Sequence, residues 1–245
     1  MPKNPNPELT PIQRGMVFHK MVEPGSAVDI EQIEITLGAP VDARRLQSAW
    51  QAVVARHRVL HSRVVETAPG DCRLTTVAGF QPELAMVEIA DPDFDAGCEA
   101  WLTADRARGF DLMAEVPLRL SLLRRPGHPD RCVWTFHHIL LDGRSFSDVL
   151  VELWDAYDAL LSGQDQNLAA RPDQSDFIDW LHGLDHTEST AYWRKLLSGI
   201  DEATPFPEAA ASVPTSATRR VTRRRLSAQQ TEALERWVRD NGVTL

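Results

Sequence analysis

The stretch that decides the fold is FHHILLDGRSF, residues 136–146, in which two adjacent histidines are followed by an Asp-Gly pair. The residues that lead into it, CVWTFHHIL, predict a strand, and successive side chains of a strand point to opposite faces. Trp134, Phe136 and His138 would then share one face, and His137 would lie on the other. We therefore expect the two histidines to have different roles.

The strand pattern ends at Asp142 and Gly143, and a helical pattern begins at once. At such a turn, side chains at the strand end meet the exposed N–H groups of a helix start. A histidine there can accept or steer a proton near neutral pH. Glycine can present its N–H to a developing oxyanion, and aspartate suits a fixed pairing with an arginine. The turn is therefore a candidate catalytic site.

Three simpler interpretations of these residues stay open. The histidines can be a satisfied core pair beside a turn, because short motif matches carry a high risk of false positives. A metal site would use the His-His-x-x-x-Asp ligands, but adjacent histidines on a strand diverge and no third or fourth ligand is at hand. Asp142 can also simply cap the following helix, which is compatible with every functional interpretation.

Charge and composition exclude some classes of partner. The 245 residues carry a net charge of -9, whereas nucleic-acid binding requires a concentrated basic surface. The three cysteines lack disulfide or metal spacing, which indicates a reducing compartment. The N-terminus has no apolar signal region, and no apolar run approaches membrane-spanning length. These features predict a cytoplasmic protein without a nucleic-acid or membrane partner.

Hydrophobic periodicity predicts a mixed order of strands and helices. Thr10 and Gln13 form a capping box at the start of a first helix, and LHSRVVE and CRLTTV read as paired strands. Apolar residues at helical spacing from Phe146 to Leu161 predict the strongest helix, with Gly163 placed to end it. The order lacks the regular alternation of a doubly wound sheet. The sequence thus predicts an α/β fold, best described as a two-layer sandwich.

The C-terminal region is more interrupted. Residues 163–175 are polar and read as a linker, and DFIDWL and TAYWRKLLSG after it predict helices. Residues 201–217 form a Pro/Ala/Ser-rich run that predicts irregular structure. A strand is predicted at residues 219–227, and Ser227 opens a last helix with a second capping box.

HHILLDG resembles the HHxxxDG motif of the condensation domains of nonribosomal peptide synthetases. Other segments resemble further motifs of that family, in the family's order and spacing. These segments are LTPIQRGMVFH at 9–19, RHRVLHSRV at 56–64, RGFDLMAEVPLRLSLLRR at 108–125, and the later DFIDWL and AYWRKLLSG. The resemblance covers essentially the whole chain.

The resemblance implies an α/β fold like that of chloramphenicol acetyltransferase, with two similar lobes and an active site in a tunnel between them. Residues 1–171 would be the N-terminal lobe, and residues 172–245 the incomplete beginning of the C-terminal lobe. The family joins an acyl group on one carrier protein to an amine on another and so forms a peptide or amide bond. Both substrates are thioesters on phosphopantetheine arms, so no bound cofactor and no metal is expected.

Residue roles follow from the resemblance by position. His138 would be the catalytic residue, which deprotonates or orients the attacking amine or handles the proton of the tetrahedral intermediate. His137 would be a packing residue, Asp142 would form a salt bridge with an arginine, and Gly143 would line the tunnel. Arg56 would be a structural residue of the RHxxLRTxF-like segment.

Two features depart from the family pattern. His61 stands where the family usually has an arginine that helps to hold the HHxxxDG motif. Arg56, Arg63 or a residue beyond this chain would have to substitute for it, unless His61 simply lies at a strand end on the surface. The chain is also shorter than a complete domain, so a second lobe, on the same or a separate chain, is an expected partner.

Two other functions stay open. The chain can belong to an acyltransferase of the same superfamily, acting on oxygen or nitrogen with coenzyme A or a carrier, because the HxxxD motif of such enzymes is contained in HHILLDG. It can also be an inactive half-domain that only docks the donor and acceptor peptidyl carrier proteins. In either case we expect this chain without the second lobe to be inactive.

Overall fold

The computed structural model describes residues 7–164, 171–202 and 224–245. The chain divides into two compact units, Met1–Asp185 and His186–Leu245. The elements of the first unit, in chain order, are α1 (Pro11–Val22), β1 (Ile30–Thr36), α2 (Ala43–Arg56), a short 3₁₀ turn (Arg58–His61), β2 (Ser62–Ala68), β3 (Asp71–Thr76), β4 (Leu84–Glu88), α3 (Phe94–Arg108), β5 (Leu118–Arg124), β6 (Arg131–His137), α4 (Ser145–Leu161) and α5 (Gln174–His182).

Strand β6 occupies an interior position of a four-stranded sheet with the order β1-β6-β5-β4. It pairs antiparallel with β1 on one side and with β5 on the other, while β4 and β5 are parallel. The last pair of the β1–β6 ladder joins Ile30 to His137. The predicted hairpin of β2 and β3 forms as a separate two-stranded sheet.

The main core lies on the face of the sheet that α2 and α4 cover. Trp134 and Phe136 project from β6 into it and stack with 4.6 Å between their ring centroids. The ring of Trp50 on α2 meets Trp134 edge-on at 5.5 Å, and Leu153 of α4 is buried in the same cluster. The alternation predicted for this strand is therefore correct for Trp134 and Phe136.

Helix α3 covers the opposite face of the sheet. Its Cys98 is buried in a second cluster with Leu123 of β5 and Val133 of β6. The carboxylate of Asp105 accepts hydrogen bonds from Thr135 Oγ1 at 2.6 Å and from Arg119 Nε at 2.9 Å. The predicted α/β fold is confirmed. Helix α3 adds a further layer on this face of the sheet, because β5 and β6 carry apolar residues on both faces.

Local capping signals fix the helix ends that the sequence predicts. Thr10 and Gln13 form the reciprocal capping box of α1, and Asp42 accepts from two backbone N–H groups at the start of α2. Beyond the end of α4, Gly163 has a φ of 66°, a conformation that glycine adopts without steric cost.

Helix α5 is packed within the first unit. Arg58 donates to the Asp173 carboxylate at 3.2 Å, and Ile178 is 1% exposed. The first compact unit ends at Asp185, and the lobe boundary at residue 171 stays a prediction.

The second unit contains α6 (Thr187–Leu196) and α7 (Ala228–Asp240). The predicted capping box of Ser227 and Gln230 is present. Residues 224–227 are not in a strand; the rest of the strand predicted at 219–227, and residues 203–217 of the predicted irregular run, lie outside the described residues. Large apolar side chains are exposed on both helices, among them Trp193 and Trp237.

Two kinds of feature are absent from the described ranges. None of their helices has the length and apolar character needed to span a membrane, and they contain no group of three or more His, Cys, Asp or Glu residues arranged to hold a metal ion.

Replacing Trp134 by alanine should strongly destabilise the first unit. The indole is 1% exposed and packs between Trp50 and Phe136, and truncation of a buried Trp costs about 3–5 kcal/mol. Urea denaturation followed by circular dichroism measures this loss. The matched control is Trp237→Ala, whose indole is 57% exposed and should change the free energy of unfolding little; equal losses in both variants would contradict this description of the core.

Candidate active site at the end of strand β6

His138 lies just beyond β6 and not on it. The strand ends at His137, and residues 138–140 form a turn. The backbone N–H of His138 donates to Asp29 O at 2.8 Å, and that of Leu140 donates to His137 O at 3.1 Å, which closes the turn. The prediction that His138 continues the strand face of Phe136 is wrong, because the β1 ladder stops at Ile30.

His137 is buried, and its side chain completes this turn. It is 3% exposed, and its Nδ1 accepts a hydrogen bond from the N–H of Ile139 at 3.1 Å. Burial lowers the pKa of His137 from 6.5 to about 4. Because Nδ1 is an acceptor, the neutral ring carries its proton on Nε2. These contacts agree with the packing role expected for His137.

His138 is held in the other tautomer. Its Nδ1 lies 2.5 Å from the carbonyl oxygen of Leu141. A carbonyl oxygen only accepts, so Nδ1 must be the protonated nitrogen, and in the neutral ring Nε2 keeps a lone pair. The residue is partly exposed. Of the two histidines, His138 is the one with a basic nitrogen that is free of this turn contact.

Asp142 caps the start of α4. Its Oδ1 accepts from Ser145 Oγ at 2.6 Å, from Ser145 N at 2.8 Å and from Arg144 N at 3.2 Å. The hydrogen bond from the Ser145 hydroxyl, with further contributions from these backbone donors, lowers the pKa of Asp142. Across the described ranges, Asp142 has no ion pair with an arginine side chain. The Asp142 carboxylate is thus bound by local donors and not by the arginine that the resemblance implies.

The arginines proposed to replace the missing one are engaged elsewhere. Arg56 donates to Glu152 Oε2 at 3.0 Å, and Arg63 donates to the carbonyl of Met113. His61 Nε2 is buried and has no hydrogen-bond partner among the described residues, and burial lowers the pKa of His61. His61 is partly exposed and directly precedes β2, and neither Arg56 nor Arg63 is paired with Asp142 among the described residues.

The buried carboxylate of Glu152, on α4, contacts three basic side chains. Besides Arg56, its carboxylate contacts His57 Nε2 at 2.6 Å and Arg171 Nε at 3.0 Å. Arg56 and His57 are the first two residues of the RHRVLHSRV segment. Arg56 thus ties the end of α2 to α4 through this carboxylate.

Gly143 is exposed at the start of the helical turn. A side chain built on it would meet no atom within 4 Å, so there is open space beside it. Within the described ranges its N–H has no recorded acceptor. The group is therefore available to a ligand, as the oxyanion interpretation requires.

Gln13 and Ser145 also support the turn, although neither is a predicted site residue. Gln13 is 6% exposed, and its Nε2 donates to the carbonyl of Ile139 at 2.8 Å. The capping-box pattern identified Gln13 only as a residue of α1. Ser145, three residues after Asp142, has the spacing of a local capping partner, a signal that could have identified it.

A cavity of about 450 Å³ lies beside α1 and the segment after α3, and Val17, Lys20 and Phe110 are among its lining residues. His138 is not part of its lining, and the ammonium of Lys20 donates to Pro24 O at 2.6 Å. The lining of this cavity therefore does not include the candidate catalytic residue.

The low pKa of His137 should make the stability of the protein depend on pH. Between its ordinary value of 6.5 and about 4, the unfolded chain binds a proton that the folded chain does not. The free energy of unfolding should therefore fall as the pH falls through this range, by about 3 kcal/mol in total, and be restored above it. Urea denaturation at several pH values measures this slope.

The comparison variant for this slope is His137→Asn, which can still offer an acceptor to the N–H of Ile139 but does not titrate. It should lose the contribution of His137 while the carboxylates continue to titrate as before. An identical slope in both proteins would show that His137 is not the group responsible.

Comparisons with known proteins agree with this fold. The condensation-domain family matches residues 6–245. Bacitracin synthase 3 of Bacillus licheniformis is 31% identical over 97% of this chain and 4% of its own length. A linear gramicidin synthase of Brevibacillus parabrevis is 30% identical over 97% of this chain and 3% of its own length. The chain thus spans only a small part of these relatives.

Solved structures show the same fold at lower identity. The first condensation domain of the calcium-dependent antibiotic synthetase, in complex with a substrate analogue, has a TM-score of 0.77 and 20% identity, over 98% of this chain and 58% of that chain. The starter condensation domain of rhizomide synthetase has a TM-score of 0.71 and 18% identity, over 81% of this chain and 49% of that chain. The match over residues 6–245 shows that the chain belongs to the condensation-domain family.

Proposed function

We propose that this chain contributes the catalytic histidine to a site that forms an amide bond in nonribosomal peptide synthesis. The donor is an acyl or peptidyl thioester and the acceptor is an amine, each on the phosphopantetheine arm of a peptidyl carrier protein. The observation that supports this most directly is the tautomer of His138, whose Nδ1 is bound to Leu141 O. This leaves Nε2 as a base on a partly exposed turn.

The reaction forms one C–N bond and breaks one C–S bond. The amine nitrogen attacks the thioester carbonyl carbon, and Nε2 of His138 orients the amine or accepts the proton that it loses. The N–H of Gly143, beside open space, stabilises the developing oxyanion. The thiolate of the donor arm then leaves and takes up the proton, so His138 returns to its neutral state.

The other predicted residues serve this site indirectly. His137 closes the turn from the buried side, Asp142 joins the turn to α4, and Arg56 ties α4 to α2 through Glu152.

The chain spans about half of the solved condensation domains to which it is similar. We therefore propose that activity requires the second lobe, on the same or a separate chain. We also propose a cytoplasmic location, which the three free cysteines support.

An acyltransferase that uses coenzyme A is the second candidate function. It would use the same His138, because the geometry of the turn does not depend on what carries the acyl group. The relatives favour condensation, since they are named as synthases of bacitracin and of linear gramicidin. A half-domain that only docks carrier proteins would not need a basic Nε2 on this turn.

Replacing His138 by alanine in the complete protein should lower condensation by about 10²–10⁴-fold, the usual contribution of a general acid–base group. The measurement is formation of the amide product from a carrier-bound donor and a carrier-bound acceptor. His186→Ala, at an exposed histidine of the second unit, is the control and should retain full activity. Circular dichroism should show that both variants are folded.

The outcomes separate the three functions. Unchanged condensation in His138→Ala would refute the assignment of this residue. Turnover of free acyl-coenzyme A at the rate of the carrier-bound donor would favour the second candidate. If the complete protein binds the carrier proteins but turns over neither donor, the result would favour the third function, in which the chain only docks carrier proteins.

A further inference from the structure

Two polar side chains, one on α1 and one on α4, bind the turn of His138, and the proposed chemistry does not use either of them. Ser145 Oγ donates to Asp142 Oδ1 at 2.6 Å, and Gln13 Nε2 donates to Ile139 O at 2.8 Å. We propose that Gln13 and Ser145 are positioning residues that together hold the imidazole of His138 in its Nδ1-protonated tautomer. This inference rests on the proposed function of His138.

The connection from Ser145 runs through consecutive residues. Its hydroxyl and its backbone N–H both bind Asp142 Oδ1, at 2.6 and 2.8 Å, so Asp142 is fixed to the first turn of α4. Leu141 precedes it directly, and the carbonyl of Leu141 is the group that accepts from His138 Nδ1. The orientation of that carbonyl therefore depends on how firmly Asp142 is held.

The connection from Gln13 reaches the residue that directly follows His138. Its amide uses both ends, since Oε1 accepts from Thr10 N at 2.9 Å and Nε2 donates to Ile139 O. Ile139 follows His138 directly and is itself 1% exposed. A buried donor that is paired in this way is costly to unpair, so α1 fixes the backbone of the turn to the body of the unit.

Fixing the backbone that follows His138, at Ile139 and at Asp142, decides which nitrogen of His138 is basic. If the carbonyl of Leu141 turns away, Nδ1 loses its acceptor, and the proton is free to move to Nε2. A ring that is protonated on Nε2 cannot accept a proton there. The change should therefore lower kcat and leave KM nearly unchanged, because no substrate contact is lost.

The variants are chosen to separate positioning from folding. Ser145→Ala removes the hydroxyl, and Ser145→Thr keeps one at the same place. Ser147→Ala removes an exposed serine from the same helical turn, one whose side chain has no recorded hydrogen bond within the described ranges. Gln13→Met removes both amide contacts, and Thr10→Ala weakens the α1 cap and leaves the contact to Ile139 in place.

Two measurements are made on each variant. Steady-state kinetics of the complete protein with carrier-bound substrates should show kcat lower by about 10–100-fold in Ser145→Ala and Gln13→Met, the scale of a misplaced catalytic group. Ser145→Thr, Ser147→Ala and Thr10→Ala should stay within about threefold of the parent, on the same reasoning. The second measurement is the imidazole ¹⁵N spectrum of the full chain, in which the signal of His138 is the one that is absent in His138→Ala. In the two impaired variants this signal should shift from the Nδ1-protonated form toward the Nε2-protonated form.

The result that would overturn the inference is parental kcat and parental ¹⁵N spectra in both Ser145→Ala and Gln13→Met, with His138→Ala inactive. That outcome leaves the proposed function intact. If His138→Ala is active instead, the proposed function fails and the ¹⁵N spectra alone decide whether the two side chains set the tautomer. If Gln13→Met does not fold, the comparison of Ser145→Ala with Ser145→Thr decides the question, because equal kcat in those two variants refutes the role of the hydroxyl.

Discussion

The carbonyl oxygen of Leu141 lies 2.5 Å from Nδ1 of His138, and the proton position on this imidazole depends on that contact. The neighbouring imidazole is held the opposite way, because His137 Nδ1 accepts from the N–H of Ile139. Backbone groups within five consecutive residues thus give two identical side chains opposite proton positions. One ring is committed to packing, and the other keeps a basic nitrogen beside the open space at Gly143.

The sheet supplies the rigid end from which this turn starts. Strand β6 is paired on both sides, and its Trp134 and Phe136 anchor it in the main core while Thr135 binds Asp105 of α3 on the other face. A strand that is fixed on both edges and both faces leaves little freedom at its last residue. Sites on such elements hold their geometry better than sites on free loops.

The features that the sequence predicts correctly are local ones. The capping boxes of Thr10 and Ser227 and the alternation of Trp134 and Phe136 depend on residues close together in the chain. The contact of Gln13 with Ile139 joins residues far apart in sequence, so no local pattern predicts it.

The arginine expected at Asp142 came from the resemblance. Local donors bind the carboxylate instead, because Ser145 and the α4 backbone are already within reach. The position of His138 beyond the strand depends on where β1 begins, which periodicity places only to within a few residues.

The shared carboxylate of Glu152 has a consequence for building hybrids of condensation domains. Its partners come from the end of α2, at Arg56 and His57, and from Arg171, which precedes α5. A splice made between residues 162 and 171 would combine one parent's carboxylate with the other parent's guanidinium. The Arg171 side chain is half exposed, so losing this one partner would cost about 0–1 kcal/mol, the range of solvent-exposed ion pairs. Crossover points that keep these four side chains from a single parent would preserve the charge balance of the graft.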